Sequence, residues 1–195
     1  MYGIYEDGQV IAKFTAPLQL ISNVPVLVGD ALSLQRSVAK RTAQRWEIIT
    51  GVEPLSHSSN KLFSLFARAG AYSKIQITVP QNFGAMKQLT ATAAVNAVGA
   101  KLSNTVTVTS FSGKIPAGYL VKFQGHDKVY MVVKDTVGGS QMEVFPPLRE
   151  SVSGQLIYKN VTMECWIDTD TVKGMSFIDG ILMQAESIKL IEALK

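Results

Sequence analysis

Residues able to carry covalent or metal chemistry are few in this chain: two histidines, His57 and His126, and one cysteine, Cys165. His57 stands in Ser56-His57-Ser58-Ser59. A serine beside an imidazole can begin a nucleophile pair, but serines there serve equally as helix caps. His126 stands in Gly125-His126-Asp127-Lys128. Asp127 could orient it as a general base, although neighbours on a tight turn point apart, and Gly and Asp favour turns for conformational reasons. Cys165 would need a cation or a helix N-terminus to become a thiolate. Its surroundings, Thr162-Met163-Glu164-Cys165-Trp166-Ile167, instead read as a strand, where cysteine behaves as a small hydrophobe. Zinc needs three or four converging ligands, and two separated histidines with one cysteine are a poor set for it. Asp168-Thr169-Asp170 opens like a calcium loop, but Asp179 occupies the place of the closing Glu. No GxxxxGK, GxGxxG or GxSxG pattern is present. The expectation is a chain that is not an enzyme, with no catalytic residue, no metal and no cofactor.

Charge supplies one further candidate. Arg36, Lys40, Arg41 and Arg45 fall in a stretch without an acid between Asp30 and Glu47. The whole chain holds 19 Lys+Arg against 15 Asp+Glu, a net +4. Such a cluster belongs to a solvated strand end, or else offers bidentate contacts to a neighbour's carboxylates or to phosphate. Stacking of bases is poorly served, since only Trp46 lies close by.

The elements that would position these residues are mostly strands. Hydrophobic residues make up 47% of the 195 and charged ones 17%, which excludes a disordered chain. One cysteine excludes an internal disulfide, and no apolar run reaches the roughly 18 residues of a membrane span. The opening MYGIYEDGQV lacks the layout of a secretion signal, so a soluble protein made intracellularly is expected. Leu32 and Leu34 alternate with Ser33 and Gln35. Trp46 and Ile48 face opposite to Arg45 and Glu47. Ile75, Ile77 and Val79 alternate with Lys74, Gln76 and Thr78, and Asn104 to Thr109 is rich in β-branched residues. Runs at Leu18, Leu20 and Val24 to Val28, flanked by Pro17 and Pro25, suit edge or irregular strands.

One helix interrupts the strands, with Ser58, Ser59 or Asn60 as cap, Leu62, Leu65, Phe66 and Ala69 on one face, and Gly70 as stop. Residues 84 to 103 mix alanine with threonine, valine and glycine, which suggests a loop or, alternatively, a short helix. From Gly113 to about Ile167, short apolar runs alternate with turn residues, the pattern of a small inserted β-barrel. The closing segment Ile181 to Leu194 fits either helix or strand. The fold class is therefore mainly β with one α-helix.

Three segments carry a resemblance. They are Ala31-Leu32-Ser33-Leu34-Gln35-Arg36-Ser37 with Ala43-Gln44-Arg45-Trp46-Glu47-Ile48; then Gly113 to Phe123 leading through His126-Asp127-Lys128-Val129-Tyr130-Met131-Val132 to Val144-Phe145-Pro146-Pro147-Leu148-Arg149; and Ser187-Ile188-Lys189-Leu190-Ile191-Glu192-Ala193-Leu194. Together they resemble the distal tail and baseplate-hub proteins of tailed bacteriophages, with Tyr119 standing where that pattern has an acid. The resemblance implies a tail-tube-like split β-barrel over residues 1–110 and 168–195, a small β-barrel inserted at 111–167, and a final strand over 182–192. It implies a structural component of the tail tip or baseplate, made in the host cytoplasm and located in the virion tail. That component would be a homo-oligomeric ring, most often of six copies, joining the tail tube protein to hub or tip proteins and any receptor-binding apparatus. DNA would pass through the lumen without specific binding, and the cluster Arg36, Lys40, Arg41, Arg45 would lie between subunits. Two rivals are a carbohydrate- or receptor-binding module and a small hydrolase using His126 and Cys165.

Overall fold

A computed structural model describes residues 2–6, 8–30, 36–40, 43–55, 57–68, 74–168, 175–178 and 181–194. The chain begins with β1 (Gly3–Glu6), β2 (Gln9–Asn23), β3 (Val26–Asp30), β4 (Arg36–Lys40), β5 (Arg45–Pro54), α1 (Ser59–Arg68) and β6 (Lys74–Thr78). It continues through α2 (Phe83–Gln88), β7 (Val95–Gly99), β8 (Thr105–Val108), β9 (Lys114–Ile115), β10 (Leu120–Phe123), β11 (Val129–Val132), β12 (Thr136–Val137), β13 (Gln141–Phe145) and β14 (Val152–Ile157). It ends with β15 (Thr162–Asp168), β16 (Met175–Ile178) and β17 (Ile181–Glu192).

These strands build a mainly β fold with two closed six-stranded barrels. In the first the order is β15-β6-β1-β2-β5-β17, and β15 pairs with β17 to shut the ring. In the second the order is β10-β11-β13-β8-β7-β14, shut by β14 on β10. Alternation drives both. Met163, Cys165 and Ile167 of β15 and Ile75 and Ile77 of β6 all point into the first core, with polar or half-exposed residues between them. Leu62 and Leu65 of α1 join that core, with Phe66 packed against it, as helical spacing requires. The second core is filled by Val95, Val106, Phe123, Tyr130, Met142, Leu148 and Leu156.

The second barrel interrupts the first, and its strands run from Val95 to Ile157. The sequence had placed the insert at 111–167. β7 and β8 instead pair with β14 and β13, and β15 pairs with β6 and β17. Strand runs of like composition do not show which sheet they join. Where the chain leaves and re-enters the first barrel, the Val79 amide donates to the Val161 carbonyl at 2.9 Å.

Segment 84–103 begins with the short helix of its alternative reading and later contains a strand, with irregular chain between and after them. Asn82 caps α2 by accepting from the Ala85 amide at 3.2 Å, and β7 follows, so there are two helices among the described residues rather than one. Of the two readings left open for the closing segment, the strand is realised, because β17 finds partners on β5, β15 and β16. Pro17 lies in an interior strand rather than at an edge. Ladder pairing passes from Thr15↔Gly51 to Gln19↔Ile49, so the missing proline N–H falls in a bulge. The expected Leu32 and Leu34 alternation, Ala69 and the Gly70 helix stop lie outside the described residues.

Gly113 sets the approach of the second barrel to the segment after α2. Its φ is +95°, and a Cβ there would stand 2.5 Å from the Thr90 carbonyl oxygen. Gly118 also has positive φ, +76°, but open space around it. Gly113→Ala is expected to cost about 2–4 kcal/mol and Gly118→Ala about 1 kcal/mol, read by urea unfolding. Equal losses would show that backbone conformation alone, and not the contact with Thr90, sets the requirement.

Candidate functional site

The two barrels meet around a buried ion pair. Lys128, just ahead of β11, donates from Nζ to Glu192 Oε2 at 2.5 Å, and the side chains are 2% and 0% exposed. The same carboxylate accepts from two backbone amides, Trp46 at 2.9 Å on Oε2 and Val129 at 2.8 Å on Oε1. The Trp46 indole in turn donates to the Val129 carbonyl at 2.9 Å, and the Lys128 ammonium lies 5.6 Å from the indole centroid. Both carboxylate oxygens and the ammonium thereby have partners, which a charged pair in this setting demands. Leu120 and Val129 of the second barrel pack into the first barrel's core.

A second clamp lies beside the first. The Gln81 side chain accepts from the Leu120 amide and donates to the Leu120 carbonyl, both at 2.8 Å. It ties the linker after β6 to β10. Next to it opens a cleft of about 350 Å³ between the barrels, lined by residues that include Tyr5, Phe83, Met86, Tyr119 and Asn160. The Tyr2 hydroxyl donates to Met86 Sδ at 2.8 Å and holds α2 against β1's end of the cleft. On the other side of Lys128 a smaller polar hollow of about 110 Å³ is lined by His126, Tyr130 and Arg149 among others.

The candidate chemistry fares as follows. The His126 ring is nine-tenths buried, edge-on to Phe123 at 5.9 Å, with Nε2 3.4 Å from the Ser151 carbonyl oxygen. It packs as a turn residue. His57 is exposed ahead of α1. Cys165 is fully buried in β15, and burial pushes its thiol well up, with the Glu192 and Glu164 carboxylates adding to the rise. A thiol held protonated in this way is not a nucleophile. Among the described residues no group of three or more His, Cys, Asp or Glu is placed to hold a metal.

Of the basic residues, Arg36 and Lys40 fall on β4 and Arg45 on β5. Arg36 and Lys40 stand at opposite ends of β4, across from Asp30 and Val26, and four strand residues span about 13 Å. Arg41 lies outside the described residues. Arg45 opens β5 and pairs with Glu47 at 3.2 Å. Glu47 departs from the simple alternation: it is 5% exposed although Trp46 and Ile48 beside it are also buried. Burial pushes its carboxyl up, but the Asn23 amide, Lys189 and Arg45 outweigh that and hold it below the usual range.

Sequence reasoning singled out Trp46, His126, Tyr119 and the Leu-Ile-Glu ending, but gave no role to Lys128, Glu192 or Gln81. A run-by-run pattern has no signal for a junction joining residues 46, 128 and 192. No protein-family model matches the chain, and no curated protein matches it.

Burial pulls the Lys128 ammonium down from 10.5 to about 8, against the opposing pull of Glu192. The unfolded chain therefore binds a proton between pH 8 and 10.5 that the folded chain does not, and this group's contribution to stability rises with pH across that window. The difference in unfolding free energy between wild type and Lys128→Met is expected to be flat just below pH 8 and to grow above it. At pH 7, Lys128→Met and Glu192→Gln are each expected to cost about 3–5 kcal/mol, since each leaves a buried partner uncompensated. The double variant should cost less than the sum. Strict additivity in denaturant titrations would mean that the pair does not act as a unit.

Proposed function

We propose that this chain is a structural, ring-forming component of a bacteriophage tail tip or baseplate, connecting the tail tube to the hub or receptor-binding apparatus. The observation that carries the reading is the pair of strand borders left open beside the first barrel. β16 lies beyond the barrel's closure and pairs only with β17 among the described residues. The β3–β4 ribbon stands as a separate two-stranded sheet, with no third strand on either side among the described residues. Unpaired N–H and C=O rows favour pairing with another chain, and identical copies that do so around an axis close into a ring. Arg36 and Lys40 belong to that ribbon, so a basic contact to a neighbouring copy is proposed there.

Further support comes from the segments that carry the resemblance. Trp46, Lys128, Val129 and Glu192 belong to all three, and they converge on the barrel junction. Their shared role is to fix how the barrels sit together, which suits a scaffold. The neighbours in this reading are the tail tube protein on one side and hub or tip proteins on the other, with the lumen passing DNA without specific contacts.

Light scattering is expected to give a mass that is a multiple of 21.2 kDa, alone or on mixing with the tube or hub partner. N–H groups alternate in direction along a strand, so of Met175→Pro and Ser176→Pro one removes an outward donor from β16. That variant should lose assembly while keeping the wild-type melting profile. A species of 21.2 kDa under every condition would overturn the proposal.

A further inference from the structure

The cleft between the barrels has the lining of a ligand site, and we propose that it binds a neutral hexopyranose unit of a glycan. This inference does not depend on the ring reading, since the cleft belongs to a single chain. Tyr119 is 6% exposed, yet among the described residues no group hydrogen-bonds its hydroxyl. Burial, with Tyr2 and Tyr158 nearby, pushes that phenol up, so it stays neutral and can both donate and accept. Tyr5 and Asn160 add a second phenol and an amide at the cleft wall. Asn160 is presented from a turn with φ +49°.

The same cleft is also lined by apolar surfaces. Phe83 is 69% exposed, an unusual state for a ring of that size, and Met86 beside it is 44% exposed. None of the residues lining the cleft carries a formal charge. The lining itself offers no counter-ion to phosphate, nucleotide or acidic sugars, and the nearby Lys87 ammonium is engaged on the Phe83 ring, 4.6 Å from its centroid. A ligand that suits the site must be uncharged, apolar on one face and hydroxylated around its rim. A pyranose ring is built that way: its C–H face lies on an aromatic ring, and its hydroxyls meet phenol and amide groups. An extended peptide is a poorer fit. β1, the strand at the cleft, already has β2 on one side and β6 on the other, so no free ladder remains there. A volume of about 350 Å³ suits one or two sugar rings rather than a long chain. The site is also held in shape without ligand, by the Gln81 clamp on Leu120 and the Tyr2–Met86 bond, which lowers the ordering cost of binding.

The test uses the full chain on a printed array of neutral gluco-, galacto- and N-acetylhexosamine oligosaccharides, followed by calorimetric titration of the strongest one. Phe83→Ala removes an exposed ring and Tyr119→Phe removes one hydroxyl, so both should melt like wild type. Each is expected to weaken binding by about tenfold or more. Absence of binding to every glycan overturns the proposal, as does binding that both variants leave unchanged. Capture of apolar peptides from a peptide array, sensitive to the same two substitutions and without glycan binding, would reassign the cleft to a protein partner and overturn it as well.

Discussion

Everything about how the two barrels stand to one another depends on the Glu192 carboxylate. It takes one ammonium and two backbone amides, and those donors come from β5 and from the start of β11. A carboxylate with that many partners in a dry setting has one acceptable orientation. A buried ion pair is weak evidence for net stability, because desolvation consumes most of what the attraction returns. Its effect here is on geometry. Any rotation of the second barrel would leave at least one of Lys128, Trp46 or Val129 without its acceptor, while apolar contacts such as Leu120 and Val129 against the first core tolerate small shifts.

That fixed geometry has functional meaning in both readings of the molecule. A ring subunit transmits register from one layer of an assembly to the next only if its parts do not flex. A cleft whose walls come from two barrels keeps its shape only if the barrels stay put. The Lys128 group and the Gln81 clamp flank β10 and β11 and together constrain two directions of movement. β16 pairs with Ile181–Ala185 of β17, the end of that strand away from Glu192, and the β3–β4 ribbon is a sheet of its own.

Much of the secondary structure was legible in the residues, for identifiable reasons. Strands such as β6, β13 and β15 alternate cleanly because one face of each meets a core and the other meets water. The stripe of Leu62, Leu65 and Phe66 marked α1 for the same reason. Three kinds of information were hidden. Barrel membership was one, since β8 and β15 look alike as sequence and belong to different closures. The bounds of α2 were another: Ala85, Met86, Lys87 and Gln88 favour helix and kept a short helix in view as the alternative, but its start is set by the Asn82 cap and its place by the Tyr2–Met86 contact. The junction was the third. Glu192 and Trp46 are 146 residues apart, and neither the acid in an apolar ending nor a lysine in a turn announces that it will be buried. Tyr119 drew notice only as a departure from a pattern; its unpaired hydroxyl is visible only in three dimensions.

The 2.9 Å bond between Val79 and Val161 has a consequence for how such a molecule can diversify. Exit and return of the chain are side by side, so the strands between them form a cassette joined to its host at one spot. Genetic replacement of that cassette by another with adjacent ends would disturb no ladder of the host barrel. It would need substitutes for Lys128 and the Val129 backbone at the acid, for the Leu120 backbone that Gln81 holds, and for the apolar contacts of Leu120 and Val129.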